Sequence, residues 1–174
     1  AARKVAGVVD VYQIPTGVAV VANNTWAARQ GRDALKVEWD ESKAEKRGSD
    51  AIATVMRDLA EGRGPADAKW QAFETKGEGG GTVDNPAVEI TYAFPYLAHA
   101  PMEPLNCTVK LDGDKAELWM GTQMPGLDAM AAAKVLGVQP QNVKVHTQMA
   151  GGGFGRRAIP TSDYVVEACG VAKA

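Results

Sequence analysis

Three glycines in a row, Gly151-Gly152-Gly153, followed by Phe154-Gly155-Arg156-Arg157, leave a stretch of main chain without side-chain cover. Glycine serves where φ must be positive or where a ligand or another backbone comes close, and amides fanning out of such a turn form an anion-seeking concavity. The two arginines add positive charge to it. The chemistry suggested is recognition of an oxygen-rich or anionic group by main-chain N–H donors. A second segment, Gly121-Thr122-Gln123-Met124-Pro125-Gly126, offers the Gln123 side-chain amide, which both donates and accepts.

Regular elements must bring these two segments together. Residues 143–149 alternate as a half-buried strand does, and Pro160-Thr161-Ser162-Asp163 supplies capping residues ahead of an apolar pattern at Tyr164, Val165, Val166 and Ala168. Upstream, residues 115–121 read as a strand and 126–136 as a helix closed by Gly137, with Pro140 in the turn that follows. The result is a βαβ unit with parallel strands, whose carboxyl ends share the sheet edge at which open α/β sheets place ligands. Gln123 and the glycine loop are thus expected side by side.

Several known loops look alike at this length. A phosphate-cradling P-loop requires a lysine followed by Ser or Thr after its last glycine, whereas Arg156, Arg157 and Ala158 stand here. Residues 153–158 fit the dinucleotide pattern G-x-G-x-x-A, but helix signals begin only past Pro160. RNA-recognition strands continue Gly-Phe-Gly with further aromatics, which are absent. A tight turn with solvated arginines is the bland alternative.

Four segments in order, Ala98-His99-Ala100-Pro101-Met102-Glu103-Pro104, Gly121-Thr122-Gln123-Met124-Pro125, Leu136-Gly137-Val138 and residues 151–157, resemble the molybdopterin-binding large subunit of the xanthine dehydrogenase and aldehyde oxidase family. The doubled arginine and Asn24-Thr25-Trp26-Ala27-Ala28 are most similar to the branch of isoquinoline 1-oxidoreductase beta subunits. The resemblance implies a cofactor-binding set of Gln123, Gly152, Gly153, Phe154, Gly155 and Arg156, with the Phe154 amide and Gln123 beside the oxygen and sulfur ligands of molybdenum. The implied cofactor is molybdopterin with molybdenum, the cytosine dinucleotide being one form of it. The implied reaction is hydroxylation of an aldehyde or N-heterocyclic carbon with oxygen from water. Its base, a glutamate, is expected late in the full subunit, so neither a catalytic residue nor a protein ligand to the metal is assigned here. Purine-oxidising members carry a glutamate four positions after the phenylalanine; Ala158 stands there, and a purine substrate is not expected.

The chain has 174 residues, 45% hydrophobic, and is expected to be a fragment of a much longer subunit, cut at both ends. The expected fold class is α+β, with mixed sheets and βαβ units. Residues 1–45 are expected to form a small α+β unit, the tail of a preceding hammerhead-type domain. Residues 46–85 are read as a helix and glycine-rich connector, and 86–174 as the start of the molybdopterin-binding domain. No charged-then-apolar leader and no apolar membrane span is seen, and bacterial cytoplasm and periplasm both stay open. A net charge of −2 with scattered basic residues favours neither nucleic acid nor an anionic membrane as partner. Cys107 and Cys169 are the only cysteines, too few for a four-cysteine iron–sulfur cluster. The resemblance implies an electron partner, either an iron–sulfur small subunit with two 2Fe–2S clusters or a cytochrome. Two buried thiols are favoured over a Cys107–Cys169 disulfide.

Residues 4–13 and 17–22 read as strands around Pro15, Asn24 as the cap of a helix reaching Leu35, and 36–39 as a returning strand. Trp26 and Trp39 are expected in a core. Ser49 is read as the cap of a helix with Ile52, Val55, Met56 and Leu59 on one face, ended by Gly62. Residues 77–81 read as a flexible connector. Val88, Ile90, Tyr92 and Phe94 alternate as a strand. His99 and Glu103 are spaced for one helix face, but Pro101 and Pro104 deny them a helix, so Glu103 is expected to hold backbone amides instead of a metal. His146 is expected on a strand, in a core or surface role. Two readings stay open: part of a molybdenum hydroxylase, and a non-catalytic α/β module whose loop binds a nucleotide, a phosphate or a partner subunit.

Overall fold

Apolar alternation at the amino terminus produces an antiparallel hairpin of β1 (Val8–Ile14) and β2 (Gly17–Ala22). The first strand begins four residues later than expected, because Ala2–Lys4 turns as a single 3-10 coil. Asn24 caps α1 (Thr25–Asp33) as expected, its side-chain oxygen accepting the Ala27 N–H at 2.9 Å. Small residues let α1 close on the hairpin: a Cβ on Gly31 would lie 2.7 Å from Val8 and 2.8 Å from Val20. Ala27 and Gly31 are therefore the buried positions of α1, and Trp26, on another side of the helix, is 67% exposed. Its expected core role is not seen. The strand expected at 36–39 does not form either, since the hairpin sheet contains two strands and neither pairs with it. Without a sheet face to bury it, Trp39 is also exposed.

The computed structural model describes residues 1–65, 74, 76–77 and 84–174, which divide into two units, Ala1–Val37 with Pro95–Ala174, and Glu38–Phe94. The second unit contains α2 (Ser49–Ala60), capped by Gly48 and not by Ser49, which is already its first helical residue. Ile52, Val55 and Leu59 are half-buried and Met56 is exposed, so no residue of α2 is fully buried. Residues 78–81 of the expected connector lie outside the described residues. Val88, Ile90, Tyr92 and Phe94 are not in a strand; no partner chain segment pairs with them among the described residues, and all four side chains are exposed.

The site-bearing sheet belongs to the first unit. It has the order β3-β4-β5, with β3 (Thr108–Asp112) antiparallel and β5 (Val143–Thr147) parallel to the central β4 (Lys115–Met120). Between β4 and β5 runs α3 (Pro125–Leu136), with Pro125 in its first turn. Its left-handed cap Gly137, φ 77°, donates to the Ala133 carbonyl at 2.9 Å. The expected βαβ unit is thus the one observed. Alternation in β4 sends Ala116, Leu118 and Met120 into the core against Ala132 and Leu136 of α3 and Val165 and Cys169 of α4 (Asp163–Lys173). Burying a side chain the size of Leu118 contributes about 1.5–3 kcal/mol. Both thiols are free; burial pushes Cys169 up to about 12 and Cys107 up to about 11, so each stays protonated. The hairpin joins this unit at α4, where Thr16 donates to Glu167 at 3.1 Å. Among the described residues no helix is long and apolar enough to cross a membrane.

Candidate functional site

Parallel pairing ends at Met120 and Thr147, and the Gln148 N–H still reaches the Met120 carbonyl at 2.8 Å. Two segments therefore leave the sheet at one edge. In the first, the Thr122 hydroxyl accepts the Met124 N–H at 2.9 Å and bonds to the buried Asp128 carboxylate in the first turn of α3. This clip fixes the turn that carries Gln123. The Gln123 N–H donates to the Arg157 carbonyl at 3.2 Å, and a Cβ on Gly153 would meet the Gln123 Oε1 at 3.1 Å. The amide side chain thus lies against the glycine loop, and a side chain at Gly153 would press it back by a few tenths of an ångström.

The loop is shaped by positive φ at Gly152 (107°), Phe154 (54°) and Gly155 (91°). At Gly152 and Gly155 glycine meets this demand without cost, whereas Phe154 holds a conformation rare for its type, as residues at ligand sites often do. The Arg156 N–H closes a turn on the Gly153 carbonyl at 2.9 Å, and the Ala158 N–H one on Gly155 at 3.0 Å. The N–H groups of Gly152, Gly153, Phe154 and Gly155 have no hydrogen-bond partner among the described residues, and neither has the Gln123 side-chain amide. Phe154 projects its ring outward, 76% exposed. Five donor groups are therefore available at one edge for an acceptor-rich ligand.

The arginines behave differently from the expectation that both lend charge to a ligand. Arg157 is 1% exposed, and it donates to the carbonyls of Gly152 (2.7 Å), Gly121 (3.2 Å) and Glu103 (3.2 Å) and to the Glu103 carboxylate (2.8 Å). Arg156 makes a two-pronged pair with Asp163 at 3.0 and 2.8 Å, whose hydrogen bonding holds the Asp163 carboxyl below its usual range. Glu103 holds a backbone amide as expected, accepting the Gly151 N–H at 2.7 Å; that bond first, then Asn106, holds its carboxyl below the usual range. His99 Nε2 lies 3.9 Å from where a Gly155 Cβ would be. His146 lies on the sheet face away from the core, stacked on Trp119 at 4.8 Å and bonded to Glu117 at 2.8 Å. Among the described residues no three His, Cys, Asp or Glu side chains gather as a metal-ligand set.

Reading the sequence missed Arg157 as an internal brace, the Thr122–Asp128 clip, and Tyr164, whose hydroxyl donates to the Gly121 carbonyl at 3.2 Å. A Thr just before a helix that starts on Pro125 was the visible signal for the clip. Nothing local distinguishes Arg157 from Arg156.

Residues 70–174 match the family of the molybdopterin cofactor-binding domain. The chain is similar to the isoquinoline 1-oxidoreductase subunit beta of Brevundimonas diminuta, 32% identical over 191 aligned residues that cover 98% of this chain and 23% of the relative. It is similar to the aldehyde oxidoreductase molybdenum-binding subunit of Escherichia coli strain K12, 35% identical over 94 residues, 53% of this chain and 13% of the relative. A membrane-bound aldehyde dehydrogenase (pyrroloquinoline-quinone) of Gluconacetobacter polyoxogenes is 29% identical over 186 residues, 99% of this chain and 23% of that protein. The chain thus spans less than a quarter of the length of these relatives.

Proposed function

Because this chain belongs to the molybdopterin cofactor-binding domain family, we propose that Gln123 and residues 152–155 line one side of a molybdopterin cofactor in a molybdenum-dependent oxidoreductase. The observation that carries this reading is the run of four main-chain N–H groups without a partner among the described residues, against which the Gln123 amide rests. Such a donor set fits the anionic oxygen and sulfur ligands of the cofactor's metal, and preorganised donors at developing charge are the protein's usual contribution where a cofactor performs the chemistry. When bound, the cofactor supplies two-electron oxidation with oxygen drawn from water. The chain's part is to hold and orient: residues 152–155 donate through the main chain, Gln123 through its side chain, and Gly153 leaves the space between them clear. Arg156 contributes by closing the turn on the Gly153 carbonyl, its guanidinium being taken by Asp163.

The substrate class proposed is an aldehyde or an N-heterocyclic carbon, in keeping with the names of the relatives. Ala158, in the place where purine-oxidising members carry glutamate, argues against a purine. The base is placed outside these 174 residues, in the remainder of a longer subunit whose preceding hammerhead-type domain would end in residues 1–45. Electrons would leave through an iron–sulfur small subunit or a cytochrome. The reading as a stand-alone nucleotide or phosphate module gains nothing from the family match.

Molybdenum and pterin analysis of the longer protein that contains this chain tests the proposal. Stoichiometric molybdenum with a pterin released by heat is the expected result; a quinone cofactor, or no molybdenum, would overturn it. Gln123→Ala deletes a donor and Gly153→Val drives a side chain into Gln123, and both are expected to lower molybdenum content and turnover. A Gly153→Val enzyme with full cofactor content would remove the loop from the site.

A further inference from the structure

We propose that Arg157 is the positioning residue of this site, a buried fork that sets the separation of the two ligand-facing segments without meeting the ligand itself. This rests on the reading of the edge as a cofactor site. The guanidinium spends four donor contacts on three separate stretches of chain: Nε on Gly152, Nη1 on Gly121, and Nη2 on both the carbonyl and the carboxylate of Glu103. Gly152 opens the run of unpaired amides, and Gly121 lies two residues before Gln123. The main chain of Arg157 completes the connection, its carbonyl accepting the Gln123 N–H. One residue thereby ties the side-chain donor and the main-chain donors to each other.

Glu103 balances the buried charge and extends the brace. Its Oε2 accepts both Arg157 Nη2 and the Gly151 N–H, while its own N–H returns to the Gly151 carbonyl at 3.1 Å. A Cβ on Gly151 would lie 2.7 Å from the Glu103 Cβ, so the Glu103 side chain packs directly on the bare Gly151. A planar fork with donors in fixed directions can hold four acceptors on three stretches of chain at once; a lysine ammonium on its flexible stem keeps the charge but offers no such geometry. Arg157→Lys therefore separates charge from geometry.

The test uses the longer cofactor-loaded protein with Arg157→Lys and Glu103→Gln. Expected for Arg157→Lys is a folded protein with wild-type far-ultraviolet circular dichroism, a roughly 10- to 100-fold loss in cofactor affinity or turnover, the range typical of groups that support ligand-holding residues, and an altered Mo(V) resonance in the molecules that keep the metal. A purely structural role would lower stability and leave that resonance unchanged. Glu103→Gln retains the shape and is expected to shift the resonance less. If Arg157→Lys does not accumulate, Glu103→Gln decides alone: an unshifted spectrum with full cofactor content overturns the proposal. Wild-type cofactor content and spectrum in a folded Arg157→Lys protein would likewise overturn it. Absence of molybdenum from the wild-type protein would instead remove the reading of the site beneath it.

Discussion

Glu103 shows how one carboxylate can serve both the fold and the site. Its pKa is depressed chiefly by the Gly151 N–H, so its stabilising contribution is complete above about pH 4.3, the ordinary glutamate value, and is lost as the pH falls through the lower folded value. Unfolding midpoints in urea should therefore show a gap between wild type and Glu103→Gln that is widest near neutrality and narrows in acid. A gap independent of pH would mean that the charge of Glu103 contributes nothing. At Gly153 the constraint is steric, since a Cβ there would lie 3.1 Å from the Gln123 Oε1 and press the amide aside by a few tenths of an ångström. Gly153→Ala should for this reason cost less cofactor than Gly153→Val, a graded loss that molybdenum analysis can read.

Among the elements, β4 carries most of the consequence. Its inward residues make the core and its carboxyl end delivers Gln123, while the outward Glu117 and Trp119 engage His146 on β5. Leu118 is fully buried at the centre of this arrangement. Leu118→Ala should cost about 2–5 kcal/mol of unfolding free energy, as large-to-small changes in packed cores do, measured by denaturant unfolding of the chain. A loss below about 1 kcal/mol would mean that the site repacks easily. The Thr122–Asp128 clip makes α3 part of the site, because it holds the turn through which β4 becomes helix. Cys107 and Cys169, raised by burial into the range of inert thiols, behave as small apolar packing residues of the same core.

On the scale of the molecule, 174 residues supply donors on one edge and no group proposed as base. Expressed alone and supplied with cofactor, they should turn over neither aldehydes nor N-heterocycles, and measurable turnover would contradict the proposed division of labour. Phe94 is 86% and Tyr92 73% exposed, together with Val88 and Ile90. Apolar side chains exposed on this scale promote association. The 174 residues in isolation are therefore expected to self-associate in light scattering, and a strictly monomeric sample would count against it.

Local signals were enough for the βαβ unit, the helix caps at Asn24 and Gly137 and the juxtaposition of Gln123 with the glycine loop, because periodicity, capping chemistry and the parallel crossover rule act over a few residues or one connection. The α+β class was legible on the same grounds, whereas the family resemblance rested on four ordered segments, residues 98–104, 121–125, 136–138 and 151–157. What stayed hidden depends on partners distant in the chain. Trp26 was expected in a core because tryptophan is large and apolar, yet the small Ala27 and Gly31 are what the hairpin admits. Residues 88–94 carry strand-like alternation, but a strand exists only where a neighbour completes its hydrogen bonds. Arg156 and Arg157 are chemically identical neighbours, and only the folded chain sends one to Asp163 at the start of α4 and buries the other among Glu103, Gly121 and Gly152. Side-chain type and spacing can nominate a donor, but the contacts that satisfy it come from residues as many as 54 positions away.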